Sequence, residues 1–201
     1  WYQQLNRNLG QIAQHSNGLL SRYRPLDVTE HKLPGLIPGR GAIIARYGTE
    51  HDPLVLVLMH LSLSKTAQQR QLGFIRELIA DYRHVVLMGD MNAHAEQLLT
   101  QTPLKETDLV PLPDTAHSFP SWRPEKALDH ILVSPSLEIR SHKKARRIGR
   151  AFLWLPDREL LDLGFLVGNM LTDNRVVLFD LDLFRGVTLV LLGRVEVTST
   201  C

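Results

Sequence analysis

The sequence predicts a layered α/β domain, on three observations. Short apolar runs end abruptly in glycine or polar residues, as buried strands do. An amphipathic stretch with helical spacing lies between two of those runs, and strand, helix, strand is the order expected where helices cover a sheet. No internal repeat or low-complexity segment interrupts the pattern.

The run Val85-Val86-Leu87-Met88 leads into Gly89-Asp90-Met91-Asn92. It reads as a buried strand that stops at a polar site and leaves a carboxylate and an amide at its C-terminal edge. Layered α/β domains place reactive groups on such strand-end loops. Asp90 has the chemistry of a base or an outer metal ligand, and Asn92 that of a donor to a phosphate oxygen. The same letters also suit a plain turn. A second apolar run, from Leu54 to Met59, ends in His60-Leu61-Ser62, where the imidazole is either a structural residue or a catalyst. A third strand opens with Asp129-His130 ahead of Ile131-Leu132-Val133. A buried acid there needs a partner, and alternation sends His130 to the opposite face, a structural position. Polar ends on three strands can meet in one pocket.

Between His60 and Asp90, residues 66–82 place Leu72, Ile75, Leu78 and Ile79 at helical spacing, with Arg and Gln on the other face and Ser64 or Thr66 as the cap. Residues 3–14 read as a shorter helix through Leu5, Leu9 and Ile12. Residues 93–118, polar and carrying Pro103, Pro111 and Pro113, read as a loop. Near the end of the chain, Leu178 to Phe184 alternates apolar and acidic residues as a half-buried strand does. The segment from Val187 to Val197 can pair with it as a hairpin through Arg185-Gly186.

At 201 residues and 44% hydrophobic content, the chain can bury a real core as one domain. A net charge of +2 tolerates phosphate-bearing substrates. The single cysteine, Cys201, excludes an intramolecular disulfide and makes a reducing compartment the simpler expectation. No run of 18 apolar residues occurs and the N-terminus is not a signal peptide, so a soluble, cytoplasmic chain without an obligate protein partner is expected. Asp180 and Asp182 are either a carboxylate pair for a metal or, by simple alternation, a solvent face. Lys143, Lys144, Arg146, Arg147 and Arg150 form a basic cluster, either solvated or turned to a polyanion or acidic membrane.

Taken in order, these segments resemble the endonuclease/exonuclease/phosphatase superfamily of metal-dependent phosphodiesterases, which includes deoxyribonuclease I. His60-Leu61-Ser62, Gly89 to Asn92, and Phe119-Pro120-Ser121-Trp122-Arg123-Pro124 with Leu128-Asp129-His130 are similar to three of its motifs. Asn17-Gly18-Leu19-Leu20-Ser21-Arg22-Tyr23 and Arg40-Gly41-Ala42 are similar to two more. The resemblance implies a four-layer α/β/β/α sandwich of deoxyribonuclease I type, incomplete at the N-terminus. Residues 1–140 form the family-like part, and residues 141–201 an atypical tail that completes the sheet or is appended to it.

The resemblance also implies roles. His60 sits near the scissile phosphate and assists the leaving oxygen, Asp90 orients or deprotonates the attacking water, Asn92 contacts the phosphate, and Asp129 holds a catalytic histidine. Asp90 and Asn92 are the metal-directed residues present, for Mg²⁺ or Mn²⁺. Trp122 and Arg123 either contact a base or phosphate or simply pack. The asparagine and glutamate that hold the family's principal metal have no counterpart ahead of Asn17. The closing Ser-Asp-His motif is replaced by Arg140-Ser141-His142-Lys143. The expected function is metal-dependent hydrolysis of phosphodiester or phosphomonoester bonds in a nucleic acid or a small or lipid substrate. The alternatives are an incomplete remnant that binds phosphate without turnover, and a polyanion-binding module using the basic cluster alone.

Overall fold

The computed structural model describes residues 2–8, 14–21, 23–36, 38–112, 117–119, 123, 125–144, 161–168, 179–184 and 188–190. Two six-stranded sheets carry the architecture. The second in chain order is the one that holds the polar strand ends, and it comprises β3 (Asp27–Lys32), β4 (Gly41–Thr49), β5 (Asp52–His60), β6 (His84–Asp90), β7 (Val110–Pro111) and β8 (Asp129–Val133), in the spatial order β3-β4-β5-β6-β8-β7. Its pairs are antiparallel except β5 with β6, which run parallel. A parallel pair needs a crossover. Here α1 (Lys65–Ile79) supplies it.

The first sheet is built from both ends of the chain: β1 (Tyr2–Asn8), β2 (Gln14–Ser21), β9 (Glu138–Lys144), β10 (Leu161–Gly168), β11 (Phe179–Phe184) and β12 (Thr188–Val190), in the order β1-β2-β10-β12-β11-β9. β10 lies antiparallel to β2, and β11 pairs antiparallel with both β12 and β9. Residues beyond 141 thus contribute strands to the same sheet as β1 and β2. Within β11, Asp180 is opposite Lys143 and Asp182 opposite Ser141. Arg146, Arg147 and Arg150 lie outside the described residues.

The period of two in each central strand decides what lies where. On the inner face Leu54, Leu56 and Leu58 of β5, Val86 and Met88 of β6, and Ile131 and Val133 of β8 pack against Leu19 of β2 and Tyr2 of β1. On the outer face Val55, Val57, Met59, Val85, Leu87 and Leu132 meet Leu72, Ile75 and Ile79 of α1. Each such side chain taken wholly out of water contributes about 1.5–3 kcal/mol. The two sheets therefore lie face to face with helices on the outside of the second, the α/β layering of the deoxyribonuclease I type.

Three expectations are corrected. Where the structure describes residues 3–14 they are not helical: Tyr2–Asn8 form a strand paired with β2, Leu5 is 51% exposed, and Gln4 is buried, a period of two where leucine spacing had suggested 3.6, and residues 9–13 lie outside the described residues. Residues 93–118 are not simply a loop, since α2 (Ala95–Gln101) and a 3-10 turn (Pro103–Glu106) bury Leu98 and Leu104 against the outer core. Finally, the Ser64 side chain makes no capping bond at the start of α1, and two of the glutamines assigned to its solvent face, Gln68 and Gln71, are buried.

Candidate active site

The inner-face rows of β5, β6 and β8 each run out of apolar residues at the same edge of the sheet. Continuing Leu54, Leu56 and Leu58 by two gives His60; continuing Val86 and Met88 gives Asp90; stepping back from Val133 and Ile131 gives Asp129. Register makes these three a row, with His60 opposite Asp90 and Asp90 opposite Asp129. Directly opposed residues point to one face with their Cβ atoms roughly 4.5–5.5 Å apart. The sequence-predicted His60, Asp90 and Asp129 are therefore brought together at the mouth of the seam between the sheets. His60 and Asp129 are buried and Asp90 is nearly so. His60 Nε2 lies 3.5 Å from Asp90 Oδ2.

A fourth group, which the sequence reading treated only as part of a motif, completes the row. The Arg40 guanidinium donates to His60 Nε2, so that nitrogen carries the lone pair and the ring proton sits on Nδ1. Burial pulls the Arg40 pKa down from its ordinary value, and the Asp90 carboxylate pushes it back up. A fixed cation thus stands beside His60 and Asp90, where it can meet a phosphate in bidentate fashion. Its placement follows from its loop: Leu33 N–H donates to Arg40 O at 3.0 Å and closes it, and Gly41 admits the opposite sheet. A Cβ at Gly41 would strike the side-chain oxygens of Asn6 and Gln4. Asn17 Nδ2 donates to Gly41 O at 2.9 Å and to Gln4 Oε1 at 3.3 Å, and Gln4 Nε2 donates to His31 O at 3.0 Å. These amides fasten β1 and β2 to the site edge.

The backbone around Asp90 is held in unusual conformations. Gly89 has φ +144°, and a Cβ there would collide with Met59 O of the neighbouring strand. Asn92, at φ 50°, is in the left-handed region that asparagine tolerates better than most. Its N–H donates to Asp90 Oδ1 at 3.1 Å and its Nδ2 to Leu61 O at 2.9 Å. One N–H of that amide therefore ties the loop after Asp90 to the loop after His60.

The buried glutamines of α1 do the rest. Ser62 N–H donates to Gln71 Oε1 and Gln71 Nε2 to Ser62 Oγ, both at 2.9 Å, while Gln68 Nε2 donates to Ser62 O at 2.8 Å and reaches Asn92 O at 3.3 Å. Sequence periodicity missed them because a glutamine on a helix reads as polar and therefore exposed.

Other expected positions lie apart from this row. His130 faces the helical layer, where its ring donates from Nε2 to Ala93 O at 2.8 Å. Arg123 is exposed and paired with Glu125 at 3.2 Å, and Trp122 lies outside the described residues. His142 is on β9, opposite Leu181.

The donor set fits a divalent metal only in part. Asp90 and Asp129 face one another, and Asn17 Oδ1 is a buried acceptor without a hydrogen-bond partner. Among the described residues, however, no three His, Cys, Asp or Glu side chains converge on one point.

A family model described as Endonuclease/Exonuclease/phosphatase family matches residues 2–149. The chain belongs to this family. Its members are phosphodiesterases, phosphatases and nucleases. Comparison with curated protein sequences gives no match. Among solved structures, a mannosyl-6-phosphatase of Bacteroides thetaiotaomicron VPI-5482 is similar at 15% identity and a TM-score of 0.51, over 80% of this chain and 67% of that one. This supports the fold. An endonuclease/exonuclease/phosphatase of Bacteroides vulgatus is 16% identical over 62% of this chain and 59% of its own length, with a TM-score of 0.49. A functionally unknown conserved protein of Enterococcus faecalis V583 is 18% identical over 63% of this chain and 68% of its own, with a TM-score of 0.47. The chain thus spans about three fifths of the Bacteroides vulgatus protein. No described helix is long and apolar enough to cross a membrane.

Proposed function

We infer that the seam-edge row binds a phosphate ester and hydrolyses it. The observation that carries this reading is the meeting of Arg40, His60, Asp90 and Asp129 at one edge of the sheet, reached by three strands and a loop. Arg40 takes the phosphate charge, exchanging its bond to His60 for bonds to phosphate oxygens. Asp90 then orients the attacking water and takes its proton, while His60, its Nε2 freed from the guanidinium and protonated from solvent, donates that proton to the leaving oxygen. Asp129 keeps the row anionic on its far side, and Asn92 holds the two loops in register. Phosphodiester and phosphomonoester substrates, nucleic acid or small molecule, all meet this chemistry.

Mg²⁺ or Mn²⁺, which family membership brings forward, finds two carboxylates here and no third His, Cys, Asp or Glu converging with them among the described residues. No step above is routed through a metal. That same observation favours a second reading, phosphate binding without turnover.

Hydrolysis of bis-p-nitrophenyl phosphate decides between them, measured with Mg²⁺, with Mn²⁺ and with EDTA, beside Asp90→Ala. Turnover lost in the variant supports hydrolysis, and its dependence on the cation reports whether a metal joins the row. A folded chain that binds inorganic phosphate but turns over nothing in any condition overturns hydrolysis in favour of binding.

A further inference from the structure

The two most exposed large hydrophobic side chains among the described residues are Leu36, at 94%, and Leu63, at 76%. Both border the site. Leu36 is in the loop of residues 33–40, Leu33-Pro34-Gly35-Leu36-Ile37-Pro38-Gly39-Arg40, whose last residue is the guanidinium that bonds His60. Leu63 follows His60 by three residues and precedes α1. Both loops are held at their ends. The first is closed by Leu33 N–H donating to Arg40 O, anchored by the buried Leu33, stiffened by Pro34 and Pro38, and turned at Gly39 with φ +104°. The second is clamped by Gln68 and Gln71 through Ser62. A leucine held out on a loop anchored at both ends leaves apolar surface in water.

The charge of these loops is one-sided. Residues 31–41 and 61–70 contain Lys32, Arg40, Lys65 and Arg70 and no aspartate or glutamate. Lys32 and Lys65 are exposed at the roots of the two loops. The other rim is mixed rather than one-signed, with exposed Glu96 on α2 and exposed Arg123, Glu125 and Lys126 ahead of Asp129. Leucines at the tips, lysines at the roots and no acids between them form the arrangement suited to an interface that is apolar within and anionic at its surface. A polynucleotide offers phosphates to the lysines but no aliphatic phase for the leucines, and no aromatic residue stands in either loop to stack on a base.

We propose that Leu36 and Leu63, on the loops before Arg40 and after His60, form a docking face for an anionic lipid surface, entering the headgroup boundary while Lys32 and Lys65 meet its phosphates. The docked chain presents Arg40 and His60 to that surface. The docking face stands without turnover; the further step, that the ester hydrolysed is carried on a lipid headgroup, rests on the hydrolytic reading above.

The test is flotation of the chain with vesicles of phosphatidylcholine alone and of phosphatidylcholine with phosphatidylserine, beside Leu36→Asn, Leu63→Asn, Lys32→Gln and Lys65→Gln. The expected result is binding to the anionic vesicles, weakened about tenfold by each leucine change and about fivefold by each lysine change. Hydrolysis of soluble bis-p-nitrophenyl phosphate by the leucine variants should be unchanged. Binding that persists in the leucine variants, binding to a single-stranded oligonucleotide with vesicles left unbound, or no binding to either overturns the docking face. Vesicle binding by a chain that hydrolyses nothing supports the docking face and removes only the hydrolytic reading.

Discussion

At one end of the β5–β6 pair the histidine comes from β5 and the aspartate from β6; at the other end the two residue types are exchanged. His60 Nε2 lies 3.5 Å from Asp90 Oδ2 at the site edge, and His84 Nε2 lies 3.2 Å from Asp52 Oδ1 at the far edge. The surroundings separate them. At the far edge His84 Nδ1 donates to Ser136 Oγ at 2.8 Å, which in turn donates to Arg83 O at 2.9 Å, so the chain of bonds ends in backbone. It is a clasp between the start of β6 and the turn after β8. At the site edge the third partner is a guanidinium, the fourth is a second carboxylate, and the backbone passes through Gly89 and Asn92 in conformations that few residues adopt. A histidine–aspartate pair is therefore not a site in itself. What it is bonded to beyond the pair decides whether it holds the fold or does chemistry.

The backbone difference gives the largest expected effect. In Gly89→Ala the new Cβ would meet the Met59 carbonyl, which is backbone and cannot swing aside, so unfolding in urea should show a loss of at least about 3 kcal/mol. Gly48→Ala is the control. It has a positive φ of +90° but open space around its Cβ, and should lose only the conformational part, about 1–2 kcal/mol. Equal losses in the two variants would mean that the close approach of β5 to β6 at Gly89 is not what holds Asp90 in place.

Next comes chemistry. With bis-p-nitrophenyl phosphate, His60→Ala and Asp90→Asn should each lower turnover about a hundredfold, the usual scale for removing an acid–base group. Asp52→Asn should change it less than about twofold, since the pair at the far edge is tied through Ser136 to backbone and lies at the opposite end of β5 and β6 from Arg40 and Asp129. A hundredfold loss in Asp52→Asn would collapse the distinction between the two ends.

The site edge was legible in sequence where one rule sufficed. An apolar run that ends on a polar residue marks a strand end, and this located His60, Asp90 and Asp129 and the α1 crossover between the first two. In the first sheet the alternation over Leu178–Phe184 and its hairpin with the segment after Arg185-Gly186 were legible, as β11 and β12, but β1 was not, because it carries Gln4 inward and Leu5 outward and so reverses the pattern that makes a strand visible. Beyond it, β2 pairs with β10, whose residues lie past 160, a pairing that no local window contains. Arg40 was hidden for a different reason: its role is set by the loop that returns it to His60, and a lone arginine before a glycine carries no such signal. Gln68 and Gln71 were hidden because their polarity is satisfied by backbone inside the molecule, which a hydrophobic periodicity counts as exposure.

Those glutamines hold the loops of the site edge only, and the far edge has no equivalent. Gln71→Leu leaves the Ser62 N–H and Oγ without their partner, an expected loss of about 1–3 kcal/mol in stability. It should also lower turnover roughly tenfold by loosening the segment that follows His60. Gln71→Glu restores the acceptor for Ser62 N–H and should recover part of the rate. If Gln71→Leu lost stability but kept full turnover, the clamp would hold the fold alone, as the Ser136 clasp does.

The smallest effect belongs to the far edge. Burial, with the neighbouring Arg83 charge adding to it, holds the His84 pKa below its ordinary value, and the exposed side of Asp52 does not reverse this. The unfolded chain then binds a proton on His84 at a higher pH than the folded chain does, so folding stability falls as pH drops through the ordinary histidine range near 6.5. It stops falling on this account once the folded residue is protonated as well. Above that range His84 is neutral in both states and contributes no slope. His84→Gln keeps a donor for Ser136 and removes the titration, so its urea midpoint should change less between pH 7.5 and pH 5.5 than the midpoint of the unaltered chain. A variant whose midpoint keeps the full acid sensitivity would place that sensitivity elsewhere and leave the clasp with no share in it. A larger sensitivity in the variant would reverse the sign and mean that Asp52, not burial, governs the ring.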